Sequence, residues 1–112
     1  MNLIADASQV TPVQMAEGVQ RRLLTYGGSL MMGQFSFAVG AVAAWHSHPA
    51  EQISYVVSGE IDFYIEGSEP RRLTAGCSFY IPSNVKHQVV AIIPTIIVDT
   101  FSPQRPEFLP QL

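Results

Sequence analysis

Short segments rich in β-branched and aromatic residues, each closed by turn residues, constrain the fold of this chain more than any other feature. In one of them, Ile61, Phe63 and Ile65 alternate with more polar neighbours, which is the period of a half-buried strand. The segments lie at 30–38, 52–57, 60–66, 77–81, 86–93 and 95–101. Many short strands at close spacing predict an all-β sandwich or barrel.

The length of 112 residues predicts a single domain. We expect an N-terminal arm at about 1–28, a barrel at about 29–101 and a C-terminal tail at 102–112. The tail contains two prolines within five residues, which cannot donate to a central strand ladder. The only helix candidate is 11–17, where Thr11 could cap a helix that begins at Pro12.

The charge composition limits the possible partners. A net charge of −3 and only six basic residues, without a basic stripe, argue against a nucleic-acid partner. Charged residues make up 13% of the chain, which is low for a free monomer. We therefore expect a second copy of the chain to cover part of the surface, giving a homodimer.

No membrane or secretory signal is evident in the sequence. The longest apolar stretch, 37–45, has nine residues and is too short to span a bilayer. The N-terminus has no basic leader followed by an apolar segment, so we expect a soluble, cytoplasmic protein without a membrane partner. Cys77 is the only cysteine, and its apolar surroundings in sequence predict a buried, inert thiol.

Three histidines are candidates for a metal site: His46, His48 and His87. On a strand, residues i and i+2 point to the same face, so the first two imidazoles can converge on one ion. Gln52 follows His48 by four residues and offers a neutral amide oxygen, whereas His87 would come from another strand. A histidine in a strand is more often merely hydrogen-bonded or on the surface, so this spacing alone is weak evidence for a metal site.

The spacing of glycine and proline around these residues adds specificity. Gly40 is followed after five residues by the His-x-His, and six residues separate Gln52 from Gly59. In the second cluster, Gly76 is followed after five residues by Pro82, with His87 five positions further on.

These two clusters resemble the two conserved motifs of the cupin family. The resemblance implies a cupin barrel, that is, a double-stranded β-helix or jelly roll, in one domain. It also implies a divalent metal ion held by His46, His48, Gln52 and His87. The identity of the ion is open among Ni, Zn, Fe, Cu and Mn.

Two positions depart from the motifs. Gln52 stands where most cupins place glutamate, and Glu51 is the rival ligand, but even spacing from His48 favours Gln52 as the inward residue. Asn84 replaces a glycine, and asparagine tolerates left-handed backbone better than other non-glycine residues. A ligand set without a carboxylate leaves the ion its full charge, which suits Lewis-acid chemistry on an anionic substrate. The same set is less suited to iron-dependent oxygen chemistry.

The last strand candidate carries an ionisable residue in an apolar setting. Asp99 shares a face with Ile97 and Phe101 if the segment is a strand. An inward carboxylate would carry a desolvation cost and would need a hydrogen-bond network or a chemical role. Alternatively, Asp99 could end an edge strand in solvent.

A closer resemblance covers about residues 17–109. The segments 18–22, 52–56 and 99–108 are similar to the KdgF branch of pectin-degradation cupins. Members of that branch convert 4,5-unsaturated uronate monomers to the linear 5-keto-4-deoxyuronate, so the resemblance implies a small anionic sugar acid as substrate. It also implies catalytic roles for Asp99 as proton carrier, Arg105 as carboxylate clamp and Phe101 as pocket wall.

Two other functions remain open at this point. One is a cupin that binds a small metabolite without catalysis, and the other is a metal-dependent dioxygenase, which Gln52 disfavours. Among the remaining apolar residues, we expect Trp45 to point away from the histidines and 30–32 to form a patch on a dimer surface. The phenylalanines expected in the core are Phe35, Phe37, Phe63 and Phe79.

Overall fold

Strands dominate the computed structural model, which describes residues 3–110. They are β1 (Val13–Ala16), β2 (Val19–Gly27), β3 (Leu30–Phe37), β4 (Val42–His46), β5 (Glu51–Ser58), β6 (Glu60–Ile65), β7 (Arg71–Thr74), β8 (Ser78–Ile81), β9 (His87–Ala91) and β10 (Thr95–Ser102). Two 3₁₀ turns, Ala7–Gln9 and Pro106–Phe108, complete the regular structure. Within the described range, no helix combines the length and the apolar character needed to cross a membrane.

The strands form two antiparallel sheets that enclose one core. The large sheet has the order β1-β2-β3-β10-β5-β8, and the small sheet has the order β4-β9-β6-β7. Both sheets contribute buried side chains to a single apolar cluster, including the four phenylalanines expected there. The all-β, single-domain jelly-roll prediction is confirmed.

Strand β10 lies in the middle of the large sheet, between β3 and β5. Its residues alternate between buried and half-buried, so Ile97, Asp99 and Phe101 all face the interior. The register places Asp99 opposite Ser54 on β5 and opposite Gly33 on β3. The alternative of a solvent-exposed Asp99 at the end of an edge strand is therefore wrong.

The N-terminal residues differ from the prediction of a helix at 11–17. Residues Val13–Ala16 form β1, which pairs with β2 and extends the large sheet. The local helix signal was weak, and cross-strand hydrogen bonds satisfy the backbone groups that a helix would have paired internally. The segment assigned to the N-terminal arm thus supplies two sheet strands.

Three expectations about single side chains have different outcomes. Trp45 is exposed as predicted and packs against Tyr64 on the outside of the small sheet. Met31 is 1% exposed and belongs to the core, so 30–32 is not a uniform surface patch. Strand alternation explains this, because only Leu30 and Met32 face outward. Cys77 is half-buried rather than buried, because it precedes β8 at the sheet edge.

Gly59, in the turn between β5 and β6, gives a sharp stability prediction. A Cβ there would clash with Thr95 Oγ1 and lie 2.6 Å from the Pro94 carbonyl oxygen, on a backbone with φ of +102°. We expect Gly59→Ala to lower the free energy of unfolding by about 2–5 kcal/mol, measured by urea titration. Gly76→Ala is the control, because φ is +95° but nothing lies within 4 Å of its Cβ. Gly76→Ala should lower the free energy of unfolding by only about 1–2 kcal/mol. Equal losses in the two variants would contradict the steric clash at Gly59.

Candidate metal centre

The three histidines converge from two neighbouring strands of the small sheet and from the loop that follows one of them. His46 ends β4, His87 begins β9, and the two are paired in register. His48 lies in the loop after β4 and is buried. One ring nitrogen from each residue can be chosen so that all three lie within 4.8 Å of one another. The structure therefore brings together the three imidazoles that the sequence singled out.

Two loops are joined to hold this geometry. Asn84 adopts a left-handed φ of +63°, as its position in the second motif suggested. Its backbone N–H donates to the carbonyl of His48 at 2.8 Å, and the hydroxyl of Ser83 donates to the carbonyl of Pro49 at 2.6 Å. The loop before His87 is thus hydrogen-bonded to the loop that carries His48.

Hydrogen bonds fix the tautomer of each imidazole. In all three histidines, Nδ1 lies within hydrogen-bond distance of a backbone carbonyl two residues away. The acceptors are the carbonyls of Ala44, Ala50 and Val85, at 2.7, 2.8 and 2.9 Å. A carbonyl only accepts, so Nδ1 carries the proton in each ring and Nε2 presents a lone pair. In each of the three imidazoles, Nε2 is therefore the nitrogen that is free to bind an ion.

Burial lowers the pKa of two of these rings, His48 and His87. Desolvation lowers the pKa of His87 to about 4, assisted by the nearby histidines and Arg105 and opposed by the hydrogen bond to Val85. Desolvation and Arg105 also lower the pKa of His48. Among residues 3–110, the buried Nε2 of His87 has no hydrogen-bond partner. An orphaned buried lone pair beside two others is what a cation would satisfy.

Gln52 faces the histidines and Glu51 faces outward, as the even spacing predicted. Glu51 is exposed and accepts a hydrogen bond from the Tyr80 hydroxyl. The Gln52 amide nitrogen donates to Ser54, which leaves its Oε1 at 3.1 Å from Nε2 of His48. Two lone-pair atoms this close repel unless both contact a cation. The donor set of three imidazoles and an amide oxygen thus fits a divalent metal ion.

Asp99 lies at the end of a hydrogen-bond chain behind Gln52. It is 9% exposed and accepts a hydrogen bond from the Ser54 hydroxyl at 2.5 Å. Desolvation raises the pKa of Asp99 to about 6, opposed by hydrogen bonds from Ser54 and Gln52 and by the charge of Arg105. A carboxyl group with a pKa near neutrality can both take up and release a proton.

Arg105 and two phenylalanines form the opposite side of the site. The guanidinium carbon of Arg105 lies 4.2 Å from the ring centroid of Phe108 and 5.2 Å from that of Phe101. Its Nε donates to Glu107 at 2.7 Å. Phe101 packs edge-on against the His48 ring at 5.7 Å and is 1% exposed. Phe101 therefore lies behind a histidine of the cluster.

A cavity of about 300 Å³ connects these groups between the two sheets. Its polar lining comes from His46, Gln52, His87, Asp99 and Arg105. Apolar side chains of both sheets and the Phe108 ring cover the rest. A mostly apolar cavity with a few converging polar groups is typical of a small-molecule site.

Sequence reasoning missed two residues of this site, Ser54 and Phe108. Ser54 follows Gln52 by two residues on β5, so strand alternation could have placed both on one face. Phe108 was assigned to the tail outside the barrel. The turn Pro106–Phe108 instead folds back, so that Phe108 is buried against Phe35, with 6.1 Å between ring centroids.

Acid titration of the metal-free protein should separate the contribution of Asp99 from that of His87. Because the pKa of His87 is lowered from 6.5 to about 4, its stabilising contribution is complete above pH 6.5 and is lost as the pH falls through 4. Because the pKa of Asp99 is raised from 3.8 to about 6, its contribution is complete below pH 3.8 and is lost as the pH rises through 6. In the unchanged protein, the gain from Asp99 on acidification partly offsets the loss from His87. Asp99→Asn removes only the gain, so urea titrations should show a steeper fall in the free energy of unfolding as the pH is lowered. Equal slopes between pH 6.5 and 4 would contradict the buried ionisable carboxyl.

Comparison with known proteins places this geometry in a family. The cupin domain family matches residues 33–100. The chain is 37% identical to the pectin degradation protein KdgF of Dickeya dadantii, over 86% of the chain and 88% of that protein. An RmlC-like cupin from Shewanella frigidimarina superposes with a TM-score of 0.91 at 34% identity, covering 97% of both chains. KdgF from Halomonas sp. superposes with a TM-score of 0.90 at 32% identity, covering 97% of this chain and all of the other. The chain belongs to the cupin domain family.

Proposed function

We propose that this cupin is a metal-dependent enzyme that converts 4,5-unsaturated uronate monomers into the linear 5-keto-4-deoxyuronate. One observation carries the proposal: a buried carboxyl group, a guanidinium and two imidazoles of the three-histidine cluster line one small cavity. The similarity to two KdgF proteins, one of them named for pectin degradation, supports the substrate class.

The reaction is an isomerisation that moves one proton. The substrate is a cyclic hemiacetal with a C4=C5 double bond and a C6 carboxylate. Loss of the proton from the C1 hydroxyl forms the C1 carbonyl, and the C1–O5 bond breaks with its electron pair left on O5. That pair then forms the C5 ketone while C4 takes a proton. The site must therefore supply a base, charge stabilisation and an acid.

The cluster of His46, His48, Gln52 and His87 would hold the divalent ion in this scheme. Bound there, the ion would supply Lewis-acid stabilisation of negative charge that develops in the cavity. The four proposed ligands are neutral, so none of them offsets the charge of the ion. Fixed Nδ1–H donors keep the three imidazoles oriented without rearrangement.

Asp99 would carry the proton from the C1 hydroxyl to C4. Its carboxyl lines the cavity, and its pKa of about 6 suits both uptake and release near neutral pH. The carboxyl is regenerated at the end of the sequence, because it returns the proton that it took.

Arg105 would bind the C6 carboxylate. Its Nε is engaged by Glu107, which orients the guanidinium and leaves the terminal nitrogens for a bidentate contact. Stacking on Phe108 holds the guanidinium plane at the cavity. The resemblance implied Phe101 as the pocket wall, but the residues that line the cavity include Phe108 and not Phe101. We therefore assign the wall against the sugar ring to Phe108, and we assign to Phe101 the positioning of His48.

The proposal is tested by mixing metal-loaded protein with unsaturated uronate and following the loss of the conjugated ultraviolet absorbance. Spontaneous opening is subtracted, and the product is identified by NMR as the linear keto acid. We expect acceleration with at least one of Ni, Zn, Fe, Cu or Mn. Binding without acceleration for every metal would overturn the proposal and favour the non-catalytic alternative. Oxygen consumption during turnover would favour the dioxygenase.

We also propose the homodimer that the low charge content indicated. On the outer face of the large sheet, Ile53 pairs with Tyr80 across β5 and β8, and Tyr55 lies beside them. All three side chains are exposed. A second copy that covers this face would remove apolar surface from water. We expect the molar mass in solution to be that of two chains, and the molar mass of one chain would contradict the homodimer.

A further inference from the structure

Ser54 occupies a central place between the proposed metal ligand and the proposed proton carrier. Its side chain is fully buried. Its Oγ accepts a hydrogen bond from Nε2 of Gln52 at 2.9 Å and donates one to Oδ1 of Asp99 at 2.5 Å. Strand register fixes this arrangement, because Ser54 and Asp99 are directly paired across β5 and β10.

While Asp99 is ionised, these hydrogen bonds run in a single direction. A serine hydroxyl has one hydrogen, and Ser54 gives it to the carboxylate of Asp99, which only accepts. The Ser54 oxygen can then only accept, so it must face the NH₂ group of the Gln52 amide. The amide oxygen consequently points the other way, to 3.1 Å from Nε2 of His48.

We propose that Ser54 is a positioning residue that selects an amide, rather than a carboxylate, as the fourth metal ligand. Its one hydrogen, committed to Asp99, orients the Gln52 oxygen toward the histidines and leaves a carboxylate at position 52 without a donor. The inference rests on the proposed function to this extent: Gln52 is a metal ligand only if the cluster holds the proposed ion. It does not depend on which substrate the site takes.

Glutamate at position 52 would conflict with this direction. Two buried carboxylates would compete for the single Ser54 hydrogen, and their like charges would repel in a poorly solvated place. When glutamate is already at position 52, replacing Asp99 by asparagine allows the hydrogen bonds to run in the opposite direction. The asparagine NH₂ can donate to the Ser54 oxygen, and the Ser54 hydrogen becomes free for the glutamate. The structure therefore predicts that the second substitution rescues the first.

The first test is a double-mutant cycle on metal-free protein at pH 8, read as melting temperature. We expect Gln52→Glu to lower the melting temperature by about 5 °C or more. In the Asp99→Asn background, the same change should cost less than half as much. Additive shifts would overturn the proposed direction, because additivity means that positions 52 and 99 do not communicate through Ser54.

The second test removes the hydroxyl and measures Ni²⁺ affinity by competition with a coloured chelator. We expect Ser54→Ala to weaken Ni²⁺ binding by about 10–100-fold, which is the usual effect of removing a residue that hydrogen-bonds to a metal ligand. Thr95→Val is the matched control, because Thr95 is also buried on an inward face and its hydroxyl donates to the Ile93 carbonyl. Thr95 lies four residues from Asp99 along β10, so its loss should leave Ni²⁺ affinity within about threefold. Equal affinities for the Ser54 variant and the unchanged protein would overturn the positioning role.

The two tests separate this inference from the proposed function. If Ser54→Ala does not fold, the double-mutant cycle still tests whether positions 52 and 99 are coupled, because both substitutions leave Ser54 in place, and additive shifts still overturn the proposal. If the protein binds metal and the cycle shows rescue but uronate is not turned over, the enzyme proposal fails and the positioning role stands.

Discussion

Asp99→Asn is expected to slow uronate turnover by about 10²–10⁴-fold, the usual contribution of a positioned proton carrier. An amide has almost the shape of a carboxylate but cannot take up the proton of the C1 hydroxyl. The asparagine oxygen can still accept the hydrogen bond from Ser54, so the fold and the metal affinity should be retained. Initial rates from the ultraviolet assay, with metal content measured on the same samples, check this prediction.

Asp62→Asn is the matched control for the Asp99 variant. Asp62 also lies in a strand, but it faces outward and pairs with Arg72 at 2.6 Å. Its substitution should leave the turnover rate within about twofold, because an exposed ion pair contributes little even to stability. A metal-loaded Asp99→Asn protein with full turnover would remove Asp99 from the proton transfer.

Strand alternation explains why much of this site could be predicted from the sequence. The period of two is a property of strand geometry, so Gln52 and Glu51 had to face opposite ways once the segment was a strand. The same rule places Asp99 and Phe101 together, and the structure confirms both assignments. Applied to 30–32, the rule would also have placed Met31 inside.

Other features depended on pairing between distant parts of the chain. Ser54 contacts Asp99 across 45 positions of sequence, because β10 inserts between β3 and β5. Nothing local in either segment specifies that neighbour. Strand β1 was missed for a related reason, since its pairing with β2, and not its own composition, decides its conformation.

The site is assembled from both sheets of the barrel. The small sheet supplies His46 and His87, and the large sheet supplies Gln52 and Asp99. The cavity between them therefore exists only when the sheets are packed. This arrangement would couple binding of the proposed ion to folding, because a cation that contacts ligands of both sheets binds the folded state alone.

His87→Gln is expected to weaken metal binding by more than about 100-fold and to reduce turnover to the spontaneous rate. The substitution removes a direct ligand, which costs more than the 10–100-fold loss typical of an outer partner. The rise in melting temperature that saturating metal gives the unchanged protein should vanish at the same metal concentration, because ligand stabilisation follows affinity. Chelator competition and thermal melts with and without Ni²⁺ measure both effects.

Gln88→Ala provides the matched comparison on the same strand. Gln88 is adjacent to His87 on β9, but alternation turns its side chain to the opposite face, so it should keep both the affinity and the metal-induced rise. The metal-free His87 variant should melt close to the unchanged protein, because the Nε2 that it loses has no hydrogen-bond partner among the described residues. A His87 variant that still gains the full metal-induced rise would show that the ion binds elsewhere, and the Lewis-acid role of the histidine cluster would fail with it.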